Sequence, residues 1–95
     1  MDIQTITRLF RRAYHARLAW RRVADKYRAY PSIAYVQELR TARAVYGAIQ
    51  DMIGTMDLGP LWEEVLLVCE YEPDEDDIVA AIRRVGGETK GGFRR

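Results

Sequence analysis

The sequence predicts an all-α fold: a small helical bundle in which two long antiparallel helices, over about 3–28 and 32–54, are covered by two shorter ones, over about 60–71 and 74–85. Three observations carry that expectation. Apolar residues recur at spacings of three and four along most of the chain, the period of an amphipathic helix. No glycine or proline occurs before Pro31, so nothing breaks the first stretch early. Pro60 and Pro73 each fall where one apolar stretch gives way to the next. A length of 95 residues suits a single domain, expected over residues 1–86 and followed by a flexible basic tail over 87–95.

The first helix rests on Ile3, Ile6, Phe10, Ala13, Trp20, Ala24 and Tyr27, a stripe interrupted by Arg17. Pro31 disfavours helical geometry at Tyr30, which places the connection near Arg28 to Ser32, and Ser32 is a suitable N-cap for the second helix. That helix has the clearest period: Tyr35, Leu39, Ala42, Tyr46, Ile49, Ile53 and Met56 alternate steps of four and three. Val36, Val45, Ala48 and Met52 widen its apolar face, and Gly54 is expected to end it in a left-handed conformation. Gly47 lies inside the pattern at a cost of roughly 1 kcal/mol relative to alanine, which suggests close packing against a neighbour.

Pro60 suits the first turn of the third helix, where its missing N–H costs nothing. Leu61, Trp62, Val65, Leu66 and Cys69 form the apolar face of that helix. A strand over Val65–Tyr71 is the competing reading, weakened because a lone strand has nothing to pair with. The fourth helix opens at Pro73 and Asp74 with acids in its first turn, has Arg83 and Arg84 in its last, and is expected to stop at Gly86, the charge order that a helix dipole favours. Ile78, Ala81, Ile82 and Val85 give it a buried side. At 1.5 Å per residue the long helices measure about 38 and 34 Å and the short ones about 17 Å each. Laid end to end, the short helices would cover the whole hairpin; side by side, they would cover about half and leave a Tyr- and Ile-rich face for a partner.

Composition narrows the function. A small domain buries only about 60–65% of its unfolded surface, so its stability margin is thin and self-association is a natural supplement. No apolar run approaches the roughly 18 residues of a membrane span, and the first residues lack the apolar block of a secretory signal. A reducing cytoplasm is therefore the expected address, and the single cysteine, Cys69, fits it as a small buried hydrophobe.

The net charge of +1 conceals segregation. Residues 1–28 carry eight basic side chains against Asp2 and Asp25, and residues 57–77 carry nine acids with no base. Such asymmetry serves either an interaction surface or attraction between segments. Arg8, Arg12, His15, Arg22 and Lys26 share one strip of the first helix, with Arg11 beside it. A strip of this kind can follow a phosphate backbone without reading bases, or meet an acidic protein. The plainer expectation is a solvated face partly neutralised by the acidic segment. No helix-turn-helix, zinc knuckle or aromatic RNA-binding motif accompanies it.

The acidic run of Glu70, Glu72, Asp74, Glu75, Asp76 and Asp77 could receive a basic partner, but lacks the glycine and ligand spacing of a calcium loop. Its plainer role is to solubilise a connection and start the fourth helix. His15 and Cys69 are each single, whereas a zinc site needs three or four such ligands and a nucleophile needs an oriented base. Trp20 and Trp62 are expected to anchor the interhelical core. Neither metal nor cofactor is implied, and no acid–base or nucleophile constellation can be assembled.

The expectation is thus a non-catalytic helical module that binds protein, as a homodimer or as a small inhibitor or adaptor of a larger target. A nucleic-acid-binding accessory protein using the basic strip is the competing class. In general character alone, being small, charged and free of motifs, the chain resembles phage-encoded inhibitors of bacterial defence systems, which makes such an inhibitor a further alternative.

Overall fold

The computed structural model describes residues 2–93, with side chains for residues 2–86. Among the described residues the chain is all helix and connection, in the order α1 (Ile3–Ala29), α2 (Ile33–Thr55), α3 (Gly59–Val68) and α4 (Glu75–Phe93). The two long helices pack together as an antiparallel hairpin, and the shorter pair packs together against it. The expected all-α architecture is what the chain adopts.

Local chemistry accounts for each boundary. Asp2 caps α1, its carboxylate accepting the Thr5 N–H at 2.7 Å, and that hydrogen bond holds the Asp2 pKa below its ordinary value. The helix runs unbroken until Pro31 forbids continuation, with the Tyr30 N–H closing on the Lys26 carbonyl at 2.8 Å. Ser32 caps α2 as expected, accepting the Tyr35 N–H at 3.3 Å.

The end of α2 differs from expectation. Gly54 stays helical, and the left-handed residue is Asp57, with φ 59°. The Leu58 N–H reaches the Ile53 carbonyl at 2.9 Å and the Asp57 N–H reaches the Gly54 carbonyl at 3.0 Å. That pair of bonds is a Schellman motif, in which Asp57 occupies the position glycine usually takes. Leu58 and Ile53 pack on the same core, which supplies the hydrophobic contact of the motif. Gly47 also departs from expectation: a Cβ there would meet nothing within 4 Å, so no close packing explains it. Asp57→Gly and Gly47→Ala should each therefore raise stability by about 1 kcal/mol, the first by relieving left-handed strain and the second by restoring helix propensity. Thermal unfolding of each variant checks this; a fall in Tm would contradict it.

Pro60 lies in the first turn of α3. This helix ends at Val68, short of the expected residue 71, and the Val65–Tyr71 strand is excluded because Val65–Val68 are helical. Cys69 is already extended, with ψ 121°. Pro73 disfavours helix at the residue before it, and the connection that results carries Glu70, Tyr71 and Glu72 between α3 and α4. In contrast, α4 continues past its expected stop. Gly86 does not take a positive φ, and a glycine in helical geometry weakens a helix without ending it. The helix is described to Phe93. The expected flexible tail over 87–95 falls on residues whose side chains, and at 94 and 95 whose backbone, lie outside the described residues.

The core sits at one end of the hairpin. Phe10 and Ala13 of α1, Ile53 of α2, Trp62 and Val65 of α3, and Ile78 and Ala81 of α4 are all 4% exposed or less. Phe10 and Trp62 meet with ring centroids 5.0 Å apart. Because α3 and α4 lie side by side, the buried stripe of α1 stops at Ala13, about halfway along. A compact chain of this length would have a radius of gyration near 12 Å, whereas this one has 15.7 Å and spans 53 × 23 × 22 Å. Past Ala13 no residue of α1 is buried, so the far half of the hairpin extends beyond the core.

Candidate interaction surface

The projecting half extends the apolar stripes that α3 and α4 cover elsewhere. On α1 the stripe continues past Ala13 as Trp20, Ala24 and Tyr27; on α2 it runs back from Tyr46 as Leu39 and Val36. None of these five reaches burial. Together they line an open groove edged by Arg40 and Arg43. Its inner wall is firm, because Trp20 stacks on the buried Tyr46 with centroids 5.7 Å apart and planes at 26°. Trp62 is the core anchor that the sequence suggests; Trp20 is only half-buried and stands where the core ends.

Two further groups of apolar residues are exposed. At the hairpin tip, Tyr30 is 74% exposed and Ile33 79%. At the other end, where α3 stops, Leu67 is 82% exposed, Val68 53% and Tyr71 58%. Single exposed apolar residues are ordinary, whereas a contiguous patch of them is the usual signature of a contact surface.

Charge follows the same division. From Arg17 to Val45 there are seven basic residues against Asp25 and Glu38. The closed end carries the acids, and they reach back onto the basic strip. Glu72 receives Arg11 at 3.1 Å and also pairs with His15. Arg8 and Arg11 border a depression with Glu75. The strip of Arg8, Arg11, Arg12, His15, Arg22 and Lys26 is exposed throughout, yet its first half stands among carboxylates. Arg22 and Lys26 lie farther out, on the half that projects.

Within the acidic run the carboxylates have distinct structural duties. Asp74 caps α4: the Asp77 N–H donates to its Oδ1 at 3.0 Å, while the Asp74 N–H donates to Asp77 Oδ2 at 2.9 Å. This reciprocal pair is a capping box. The Asp74 amide holds the Asp77 pKa below its ordinary value, and the Tyr71 hydroxyl, which donates to Asp77 at 3.1 Å, is itself pushed up by that bond. Burial, then Asp77, pushes the Cys69 thiol up, so it stays protonated at neutral pH and is a poor nucleophile.

Because folding depresses the Asp77 pKa, the stability that Asp77 contributes is whole above the unfolded carboxylate value of about 3.9 and is lost as pH falls through the lower folded value. Asp74→Ala should cost about 1 kcal/mol at neutral pH, and Asp77→Asn should flatten the acid limb of the stability curve. Urea titrations from neutral pH to below pH ~3 read both effects; an acid limb identical to wild type in Asp77→Asn would contradict the assignment.

Among the described residues, no group of three or more His, Cys, Asp or Glu side chains is gathered as a metal site would require, and no helix is long and apolar enough to cross a membrane. Compared with known proteins, the chain matches no family model, no curated protein and no solved structure.

Proposed function

We propose that the protein is a non-catalytic helical interaction module that binds protein through the projecting half of the α1–α2 hairpin. One observation supports this above the others: the apolar stripes of both long helices continue past the core, and there Trp20, Tyr27, Val36 and Leu39 are only partly buried. An amphipathic hairpin left open in water gains free energy at about 25 cal/mol per Å² when another apolar surface covers it. The aromatic and arginine content of the groove also matches the residues that dominate binding energy at protein interfaces.

The competing nucleic-acid reading loses weight because Glu72 occupies Arg11 and His15. It keeps Arg12, Arg22 and Lys26, all exposed, and makes a distinct forecast. Binding would then weaken steeply with salt and vanish in Arg8→Ala/Arg12→Ala/Arg22→Ala, since each phosphate contact releases counterions.

The deciding experiment compares wild type with Val36→Ser/Leu39→Ser. The interaction reading expects both proteins to give the same helical circular dichroism, with the variant losing at least about tenfold in affinity for its protein partner, equivalent to 1.4 kcal/mol. Undiminished protein binding by the variant would overturn the reading, as would binding confined to DNA or RNA.

A further inference from the structure

Resting on that reading, we propose that the partner contributes an acidic amphipathic helix, which lies in the open groove between α1 and α2 as a third helix, with its carboxylates on Arg40 and Arg43. The form of the groove makes the first case. Its α1 wall is Trp20, Ala24 and Tyr27, and its α2 wall is Val36, Leu39, Arg40 and Arg43. Each wall therefore runs from i to i+7, about 10 Å of helix rise. That is the span over which an amphipathic helix seats its apolar anchors in a groove.

Backbone chemistry selects a helix over an extended peptide. The walls lie within α1 and α2, so they offer no strand edge. An extended peptide would bury unpaired amides and carbonyls against Ala24, Val36 and Leu39, at the cost of desolvating them. A helix brings its backbone already paired and exposes only side chains to the walls.

Charge selects an acidic helix. Val36 with Arg40, and Leu39 with Arg43, are pairs four residues apart, so each arginine stands one turn beyond an apolar wall residue on the same face. Both arginines are exposed. Among the described residues, no carboxylate lines this groove. The two acids of the projecting half lie elsewhere: Glu38 lines a separate depression with Val23 and Ala34, and Asp25 is 3.4 Å from Arg28. A helix with apolar residues in the seam and carboxylates towards α2 thus answers both walls at once. Pairs at such a rim select the partner more than they add affinity, which comes from the apolar contact. Nucleic acid would meet the arginines but leave Val36 and Leu39 without an apolar partner. A second copy docked by the same half would bring the same excess, seven bases against two acids from Arg17 to Val45.

Two labelled peptides of about 18 residues, long enough to be helical, test the assignment by fluorescence anisotropy. Both carry one leucine stripe at helical spacing, and they differ only in having glutamate or lysine beside it. The glutamate peptide is expected to bind wild type at least about tenfold more tightly than the lysine peptide and to lose that advantage in high salt. In Arg40→Glu/Arg43→Glu the preference should reverse, with circular dichroism unchanged because both positions are exposed. Equal affinity for the two peptides, a preference that survives the charge reversal, or no binding of the glutamate peptide would overturn the acidic helix. Tighter binding of a labelled DNA duplex would assign the arginines to phosphate and overturn it too. So would a chain that scatters light at twice its 11.0 kDa mass and sheds the peptide as its own concentration rises, which would put a second copy in the groove. The interaction reading has its own test in Val36→Ser/Leu39→Ser, and it survives failure of the peptides if that variant loses a protein partner of other chemistry.

Discussion

Phe10→Ala lowers the stability of the fold by about 3–5 kcal/mol. Phe10 has no exposed surface, and it packs at 5.0 Å between centroids on Trp62, itself 4% exposed. It thus joins α1 to α3. Truncation removes the transfer free energy of the ring and leaves a cavity, and it also takes away the tilted aromatic pair. A domain of this size has only about 5–15 kcal/mol to lose, and one whose core occupies half its length sits towards the lower part of that range. The urea midpoint should fall sharply with the slope of the transition little changed. A shift smaller than about 1 kcal/mol would mean that the Phe10–Trp62 contact does not join the helices.

The same residue type at two positions should give opposite answers. Ile78→Ala should cost about 2–5 kcal/mol and Ile33→Ala less than about 0.5 kcal/mol in the monomer. Ile78 is 0% exposed and fixes α4 to the core one residue after the Asp74–Asp77 capping box, whereas Ile33 is 79% exposed at the hairpin tip. Both are apolar residues near the start of a helix, so propensity cannot separate them; only the position of the core can. Equal costs measured by denaturation in dilute solution would show that the tip has cover of its own.

Much of the fold is legible in the sequence because hydrophobic period is a local property. The stripe from Tyr35 to Met56 needs nothing beyond the geometry of one helix to be recognised, and Ser32 and Pro60 mark helix starts by their own chemistry. The ends of helices proved harder. Gly54 looks like the terminator of α2, but the chain turns at Asp57, because a Schellman closure there brings Leu58 onto Ile53. The tertiary contact outweighed the conformational preference of a single residue. The connection after α3 also makes a contact that no local pattern can display: Glu72 meets Arg11 and His15, 57 residues away or more.

The candidate surface was legible as a conditional. Helix lengths alone show that short helices lying side by side leave half the hairpin open, and the packing of α3 against α4 meets that condition. The charge imbalance was equally visible, but not its layout. Residues 1–28 read as one basic strip, and only the fold divides it into an inner part facing Glu72 and Glu75 and an outer part on the open hairpin. Asp2 and the Asp74–Asp77 box are caps with ordinary sequence signatures, an acid three residues ahead of a paired amide. In the case of Asp77, its place in a dense run of acids hides the individual duty.

Amide hydrogen exchange, followed residue by residue at low protein concentration, tests most directly the division of the hairpin between a closed core and an open half. At low concentration the amides around Ala13, Ile53, Val65 and Ile78 should exchange only through global unfolding, while those from Ala24 to Leu39 open locally and exchange much faster. Uniform protection along both halves of the hairpin would contradict the account.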